Sequence, residues 1–197
     1  MERVALVTGA GTGVGKATSI ALLKEGMIVY LVGRRIEKLK ETEEEAKTLK
    51  LRGIPKIYSF DISLEKDVIN LFNIINNEHG RLDLLFNNAG TSNSPKTIDQ
   101  ILFEEWKKVV DVNLHGMFLC AKHAFSIMKN QDNMGGRIIN NGSISAMAPR
   151  PGSVPYTTTK HAITGLTKAI SLDGRKFKIA CSQIDIGNAE TPMTKKI

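Results

Sequence analysis

Three residues near the end of the chain have the types and spacing for acid–base chemistry: Ser143, Tyr156 and Lys160, the first two thirteen positions apart and the last two four apart. Residues four apart share one face of a helix. The Lys160 ammonium can therefore sit beneath the Tyr156 phenol and favour its ionised form through proximity of charge. A free phenol has a pKa of about 10, and a neighbouring cation moves it toward the range where general acid–base catalysis becomes efficient. A nearby Ser143 hydroxyl would hold a substrate oxygen. The same Tyr–Lys spacing also occurs on ordinary helices in which the tyrosine packs and the lysine is solvated, so its meaning depends on the rest of the chain.

A second chemical feature stands at the other end. Thr8-Gly9-Ala10-Gly11-Thr12-Gly13-Val14-Gly15 follows an apolar strand-like run and opens a helical one. Glycines there allow a tight turn and close approach to a pyrophosphate, which the free N–H groups and dipole of a helix N-terminus favour. A P-loop would need glycine at Ala10 and a hydroxyl residue at Ala17, and the usual GxGxxG would need glycine at Val14, so neither fits. The pattern that fits is TGxxxGxG. The next strand ends Val32-Gly33-Arg34-Arg35 with no carboxylate. An acidic residue at that point meets an unmodified ribose, whereas a 2′-phosphate calls for a guanidinium. Arg34 thus favours NADP(H), with NAD(H) possible. Arg35 reads equally well as a surface charge.

These sites need elements to hold them, and strand and helix patterns alternate along the whole chain. Strands are expected at 3–8, 27–32, 56–60, 82–86, 137–141 and 178–184. Helices are expected at 13–25, 36–51, 64–78 (with Ser63 as N-cap), one long helix at 103–129, and 154–172. Apolar strand runs that do not alternate imply burial on both faces, hence a parallel sheet between helical layers. The expected fold is α/β: one doubly wound domain over 1–197.

Taken together, TGAGTGVG at 8–15, Asp61-Ile62, Asn87-Asn88-Ala89-Gly90, Asn113, Ser143 and the Tyr156–Lys160 pair resemble the short-chain dehydrogenase/reductase family, in its order and over essentially the whole chain. The resemblance implies a Rossmann-like sheet of order 3-2-1-4-5-6. It implies that Tyr156 is the general acid for carbonyl reduction and the base for alcohol oxidation. Lys160 lowers its pKa and holds the nicotinamide ribose, Ser143 binds the substrate oxygen, and Asn113 supports a proton relay. The cofactor set it implies is Thr8, Gly9, Gly13, Val14, Gly15, Arg34, Asp61, Ile62, Asn87, Ala89, Gly90, Tyr156, Lys160, Gly187 and Thr191. Two departures stand out. Ile186 replaces the customary proline before Gly187, and a typical member continues well past Ile197, so a seventh strand and much of the substrate lid are expected to be missing. Family resemblance also implies a homodimer or homotetramer through the long helix and the helix of Tyr156.

Composition narrows the remaining classes. The 197 residues, 42% of them hydrophobic, suffice for one well-packed domain. No apolar run is long enough to span a bilayer, and the N-terminus lacks the pattern of a secretory signal. Cys120 and Cys181 stand apart, as in a cytoplasmic protein. The net charge is +7, but the densest basic group, Arg34 to Lys40, runs straight into Glu41 to Glu45. That is a mixed-charge helix face rather than a nucleic-acid stripe. Four scattered histidines without acidic partners offer no metal site. The expected function is an NADP(H)-dependent oxidoreductase acting on a small-molecule carbonyl or secondary alcohol. The alternative is a catalytically silent NADP(H)-binding or interaction protein.

Overall fold

The computed structural model describes residues 2–191; Met1 and residues 192–197, the last part of the expected domain, lie outside them. Strands β1 (Val4–Thr8), β2 (Ile28–Gly33), β3 (Ile54–Ser59), β4 (Leu84–Asn87), β5 (Gly136–Asn141) and β6 (Ile179–Ile184) form one sheet in the order β3-β2-β1-β4-β5-β6. Every pairing is parallel, with Leu6 beside Tyr30 on one side and Leu85 on the other. The sheet order is the expected one.

Successive side chains of a strand point to opposite faces, and all five residues of β1 are buried. Val4 and Leu6 join Tyr30, Leu71, Ile75 and Met128 on one face. Ala5 and Val7 join Leu23, Val29, Leu31 and Leu39 on the other. Helices α1 (Gly13–Lys24) and α2 (Ile36–Thr48) cover the second face. Helices α3 (Glu65–His79), α5 (Gly116–Asn130) and α6 (Val154–Gly174) cover the first. Burial on both faces is what removed the alternation from the strand sequences.

Four local features differ from expectation. The long helix at 103–129 is two helices, α4 (Phe103–Val110) and α5, joined by a π-helical turn at Asp111–His115. A π turn adds a residue to the helical ladder and re-aims a side chain; here that side chain is Asn113, whose tertiary bonds are described below. Ser63 does not cap α3: Leu64 stands at the cap, and Ser63 N and Oγ both donate to Asp61 Oδ1 (3.0 and 2.7 Å). β3 starts at Ile54 and includes Pro55, which lacks a ladder donor and is tolerated because β3 is an edge strand. β4 runs one residue further than expected, to Asn87.

Among the described residues, no helix is long and apolar enough to cross a membrane. Cys120 and Cys181 are free, and burial pushes their thiols up to about 12 and about 11.

Candidate active site

The strand order reverses between β1 and β4, and in open α/β sheets the ligand crevice forms outside the carboxyl ends of the strands at that reversal. A cleft of about 280 Å³ lies there. Gly9, Gly13 and Val14 line one end, with Arg34, Asp61 and Ile62 beside them. Ala89 and Gly90 lie along its length, and Ser143, Tyr156, Gly187 and Thr191 line the other end. The structure thus brings most of the expected residues into one crevice.

The turn from β1 to α1 is built by close approach. Gly9 has φ +68°, and a Cβ on Gly15 would lie 2.2 Å from the Gly9 carbonyl oxygen, so neither position accepts a side chain without movement. Thr8 is fully buried rather than in the cleft, and its Oγ1 accepts from the backbone N–H groups of Asn88 (2.9 Å) and Ala89 (3.0 Å). Asn88 Nδ2 returns a bond to the Thr8 carbonyl at 2.9 Å. One hydroxyl therefore locks the glycine turn to the segment after β4.

Asn87 stands apart from its expected place. It is 1% exposed and turned inward, donating to the Met117 carbonyl (2.8 Å) and to Asn140 Oδ1 (3.2 Å). Its neighbour Asn88 lines the cleft instead. Extension of β4 by one residue shifts which of the two side chains faces the core.

At the far side of the turn, Arg34 and Asp61 face each other with Nη1 3.7 Å from Oδ2. The other carboxylate oxygen of Asp61 is taken by Ser63, and Asp67 Oδ2 accepts from the Asp61 N–H at 2.9 Å. Arg35 and Lys38 also line the cleft. Lys38 was not singled out from the sequence, because its pairing with Glu41 at 2.7 Å is that of an ordinary helix surface.

The other end of the cleft is held by α6 and by the loop after β5. Tyr156 is half-buried, and Lys160 Nζ lies 5.5 Å from its ring centroid, within the range where a cation is attracted to a ring face. Lys160 is 4% exposed and donates to the Asn141 carbonyl at 2.6 Å. Burial lowers its pKa to about 8, with the Asp185 carboxylate acting in the opposite direction. Ser143 is 5% exposed; its Oγ accepts the Ser145 N–H at 3.1 Å. Its own N–H donates to Asp185 Oδ1 at 3.0 Å. His161 turns to its own helix, with Nδ1 2.9 Å from the Thr157 carbonyl.

Asn113 is fully buried and its carboxamide is engaged on both atoms. Oδ1 accepts the Thr91 N–H (2.8 Å), and Nδ2 donates to the Thr91 carbonyl (2.9 Å) and to Thr159 Oγ1 (3.2 Å). Thr159 Oγ1 in turn donates to the Tyr156 carbonyl at 2.8 Å. Asn113 thereby ties the loop after Gly90 to the helix turn that carries Tyr156. Thr91, Thr159 and Asp185 went unnoticed in the sequence, since none belongs to a motif with a mechanism attached.

Residues 3–197 match the family model described as short chain dehydrogenase. The chain belongs to the short-chain dehydrogenase family. That family is one of oxidoreductases, and this member is 34% identical over 198 residues to a 3beta-hydroxysteroid dehydrogenase of Mediterraneibacter gnavus, covering 99% of this chain and 69% of that protein. Among solved structures, 3-ketoacyl-(acyl-carrier-protein) reductase of Brucella melitensis complexed with NADH superimposes with a TM-score of 0.90 at 28% identity, over 98% of this chain and 78% of that one. A variant of the actinorhodin polyketide ketoreductase with NADPH does so with a TM-score of 0.91 at 29% identity, over 99% and 74%. As a short-chain dehydrogenase, the chain carries its glycine turn, its serine and its tyrosine around one crevice, with Lys160 buried against the tyrosine ring.

Proposed function

We propose that this short-chain dehydrogenase is an NADP(H)-dependent oxidoreductase that interconverts a carbonyl and a secondary alcohol, with Tyr156 as acid and base. The observation that carries the reading is the sharing of one cleft by Ser143 and Tyr156 with the glycine turn and Arg34. The turn fits a dinucleotide because Gly9 and Gly15 leave bare backbone where a Cβ would stand. Gly9, Gly13 and Val14 would hold the pyrophosphate, Asp61 and Ile62 the adenine, and Ala89, Gly90, Gly187 and Thr191 the remainder. When bound, the nicotinamide supplies or accepts the hydride.

The chain's own residues do the rest. The Ser143 hydroxyl donates to the carbonyl oxygen and fixes it beside Tyr156. In reduction, the Tyr156 phenol gives its proton to that oxygen as charge develops on it; in oxidation, the phenolate removes the alcohol proton. The Lys160 ammonium below the ring stabilises the phenolate side of either transfer. Asn113, with both Nδ2 protons given to Thr91 and Thr159 and its Oδ1 accepting the Thr91 N–H, acts by holding the Tyr156 turn in position.

Arg34 supports the preference for NADP(H). Its guanidinium reaches Asp61 at 3.7 Å while 59% of its side chain is exposed, so a 2′-phosphate offers it a stronger bidentate partner. A homo-oligomer is part of the same reading. Phe118 on α5 and Leu172 on α6 are 48% and 58% exposed, and burying such side chains is the usual use of an apolar helix face. Residence in the cytoplasm accords with two thiols that stay apart and free.

The experiment is Tyr156→Phe. Turnover of NADPH with a panel of ketones and aldehydes should fall by about 10²- to 10⁴-fold, while NADPH binding stays near that of the wild type. Retained turnover would remove Tyr156 from the mechanism. A wild type that binds NADPH and oxidises it with none of the panel would favour a silent binding protein.

A further inference from the structure

Across the carboxyl ends of β4, β5 and β6 runs a directed chain of hydrogen bonds. Asn87 Nδ2 donates to Asn140 Oδ1 at 3.2 Å, and Asn140 Nδ2 donates to Thr167 Oγ1 at 2.9 Å. Thr167 Oγ1 donates to Gln183 Oε1 at 3.4 Å, and Gln183 Nε2 donates to Asp185 Oδ1 at 2.6 Å. Asn87 and Asn140 are buried, and Thr167 is 7% exposed. Asn140, Thr167 and Gln183 each accept from the residue before and donate to the next, so the chain runs in one direction. Gln183 Nε2 gives its other proton to Thr164 Oγ1 at 3.1 Å, and the branch to Asp185 ends on a carboxylate, which accepts without donating when ionised. Bonds in series inside a protein polarise one another.

The same carboxylate oxygen takes the backbone N–H of Ser143 at 3.0 Å. The residue before Ser143 leaves room for it: a Cβ on Gly142 would lie 2.2 Å from Asp185 Oδ1 and 2.7 Å from Gln183 Nε2. Gly142 and Asp185 are thus fitted to each other. Lys160 itself is held by its own neighbours, with the Tyr156 ring on its own helix and the Asn141 carbonyl of β5 accepting its hydrogen bond, while the exposed Asp185 carboxylate acts on it through charge without an ion-pair contact.

We propose that Asp185 is a positioning residue of this active site. Its carboxylate terminates the bond chain and fixes the Ser143 backbone, and hence the direction of its hydroxyl. The proposal rests on the acid–base reading of Ser143, Tyr156 and Lys160.

Three variants separate its parts. Asp185→Asn keeps an acceptor and removes the charge, Asp185→Ala removes both, and Gly142→Ala drives the carboxylate from its seat. In the cofactor-free protein, the Ser143 amide should exchange slowly in the wild type and in Asp185→Asn, and should lose that slow exchange in Asp185→Ala and Gly142→Ala. With NADPH and a carbonyl substrate, Asp185→Ala and Gly142→Ala should lower kcat at least about tenfold, with KM for NADPH little changed. Asp185→Asn, which keeps an acceptor for the Ser143 N–H, should recover most of kcat near neutral pH. An unaltered Ser143 amide together with kcat within twofold of wild type in Asp185→Ala and Gly142→Ala overturns the proposal. A wild type inactive on every carbonyl overturns the acid–base reading, and the amide exchange then still decides whether Asp185 holds Ser143.

Discussion

Replacing Lys160 by methionine isolates the energetic cost of placing a cation under the Tyr156 ring. Lys160 is 4% exposed, and burial lowers its pKa from 10.5 to about 8. Between those values the unfolded chain holds a proton that the folded chain has released. The unfolded state then binds more protons, so the stability of the wild type rises with pH through this window. Below pH 8 both states are protonated and the folded state carries the whole cost, about 3 kcal/mol at 1.36 kcal/mol per pKa unit. At pH 10 about 1 kcal/mol of it remains. Lys160→Met has no such dependence, although it deprives the Asn141 carbonyl of its 2.6 Å donor. That loss costs about 1–3 kcal/mol at every pH and changes the offset between the two proteins but not the slope. The wild type should therefore gain about 2 kcal/mol on the variant between pH 7 and pH 10, equivalent to about 4–8 °C in the difference of their Tm values. Urea unfolding of both proteins at half-unit intervals of pH measures it. Stability curves that stay parallel across the window would refute the burial of a charged Lys160.

Arg34→Ala should weaken NADPH by about ten- to hundredfold more than NADH, the range for losing a hydrogen bond to a charged group; titration calorimetry with both cofactors reads it, and equal losses would end the case for NADP(H). Gly15→Ala places a Cβ 2.2 Å from the Gly9 carbonyl oxygen. It should lower stability by about 1–3 kcal/mol and eliminate measurable dinucleotide binding, so cofactor affinity within a fewfold of wild type would contradict the tight turn. Joint replacement Phe118→Glu and Leu172→Glu should leave a monomer by light scattering; an unchanged mass would place any subunit contact elsewhere.

How far the sequence could be read depended on whether the cause of a feature was local. The apolar runs of β1 and β2 and the glycine turn between β1 and α1 state their own structure, because burial on both faces and tight-turn geometry act on adjacent residues. The Tyr156–Lys160 pair was equally legible, since helical spacing alone brings the two together. The π turn at Asp111–His115 was not, because it serves Asn113 bonds to Thr91 and Thr159, twenty-two and forty-six residues away. The exchange of Asn87 for Asn88 in the cleft had a similar cause: the two are adjacent and identical, and only the end of β4 decides which one turns inward. Asp185 gave no signal at all, as its meaning lies in the space left open by Gly142, in the loop after β5 and far away in sequence.

Thr8, Asn88, Asn141 and Lys160 form an unbroken seam. Asn88 bonds Thr8, Asn141 Nδ2 donates to Asn88 Oδ1 at 2.8 Å, and the Asn141 carbonyl receives Lys160. A dinucleotide that spans this seam behaves as a bivalent ligand whose two halves meet two subsites at a fixed separation. Once the adenosine half is seated, the other half is delivered at a high effective concentration set by the stiffness of the seam. Loosening Asn88 or Asn141 would act like lengthening a linker: each half-ligand would bind as before, while their joint affinity fell.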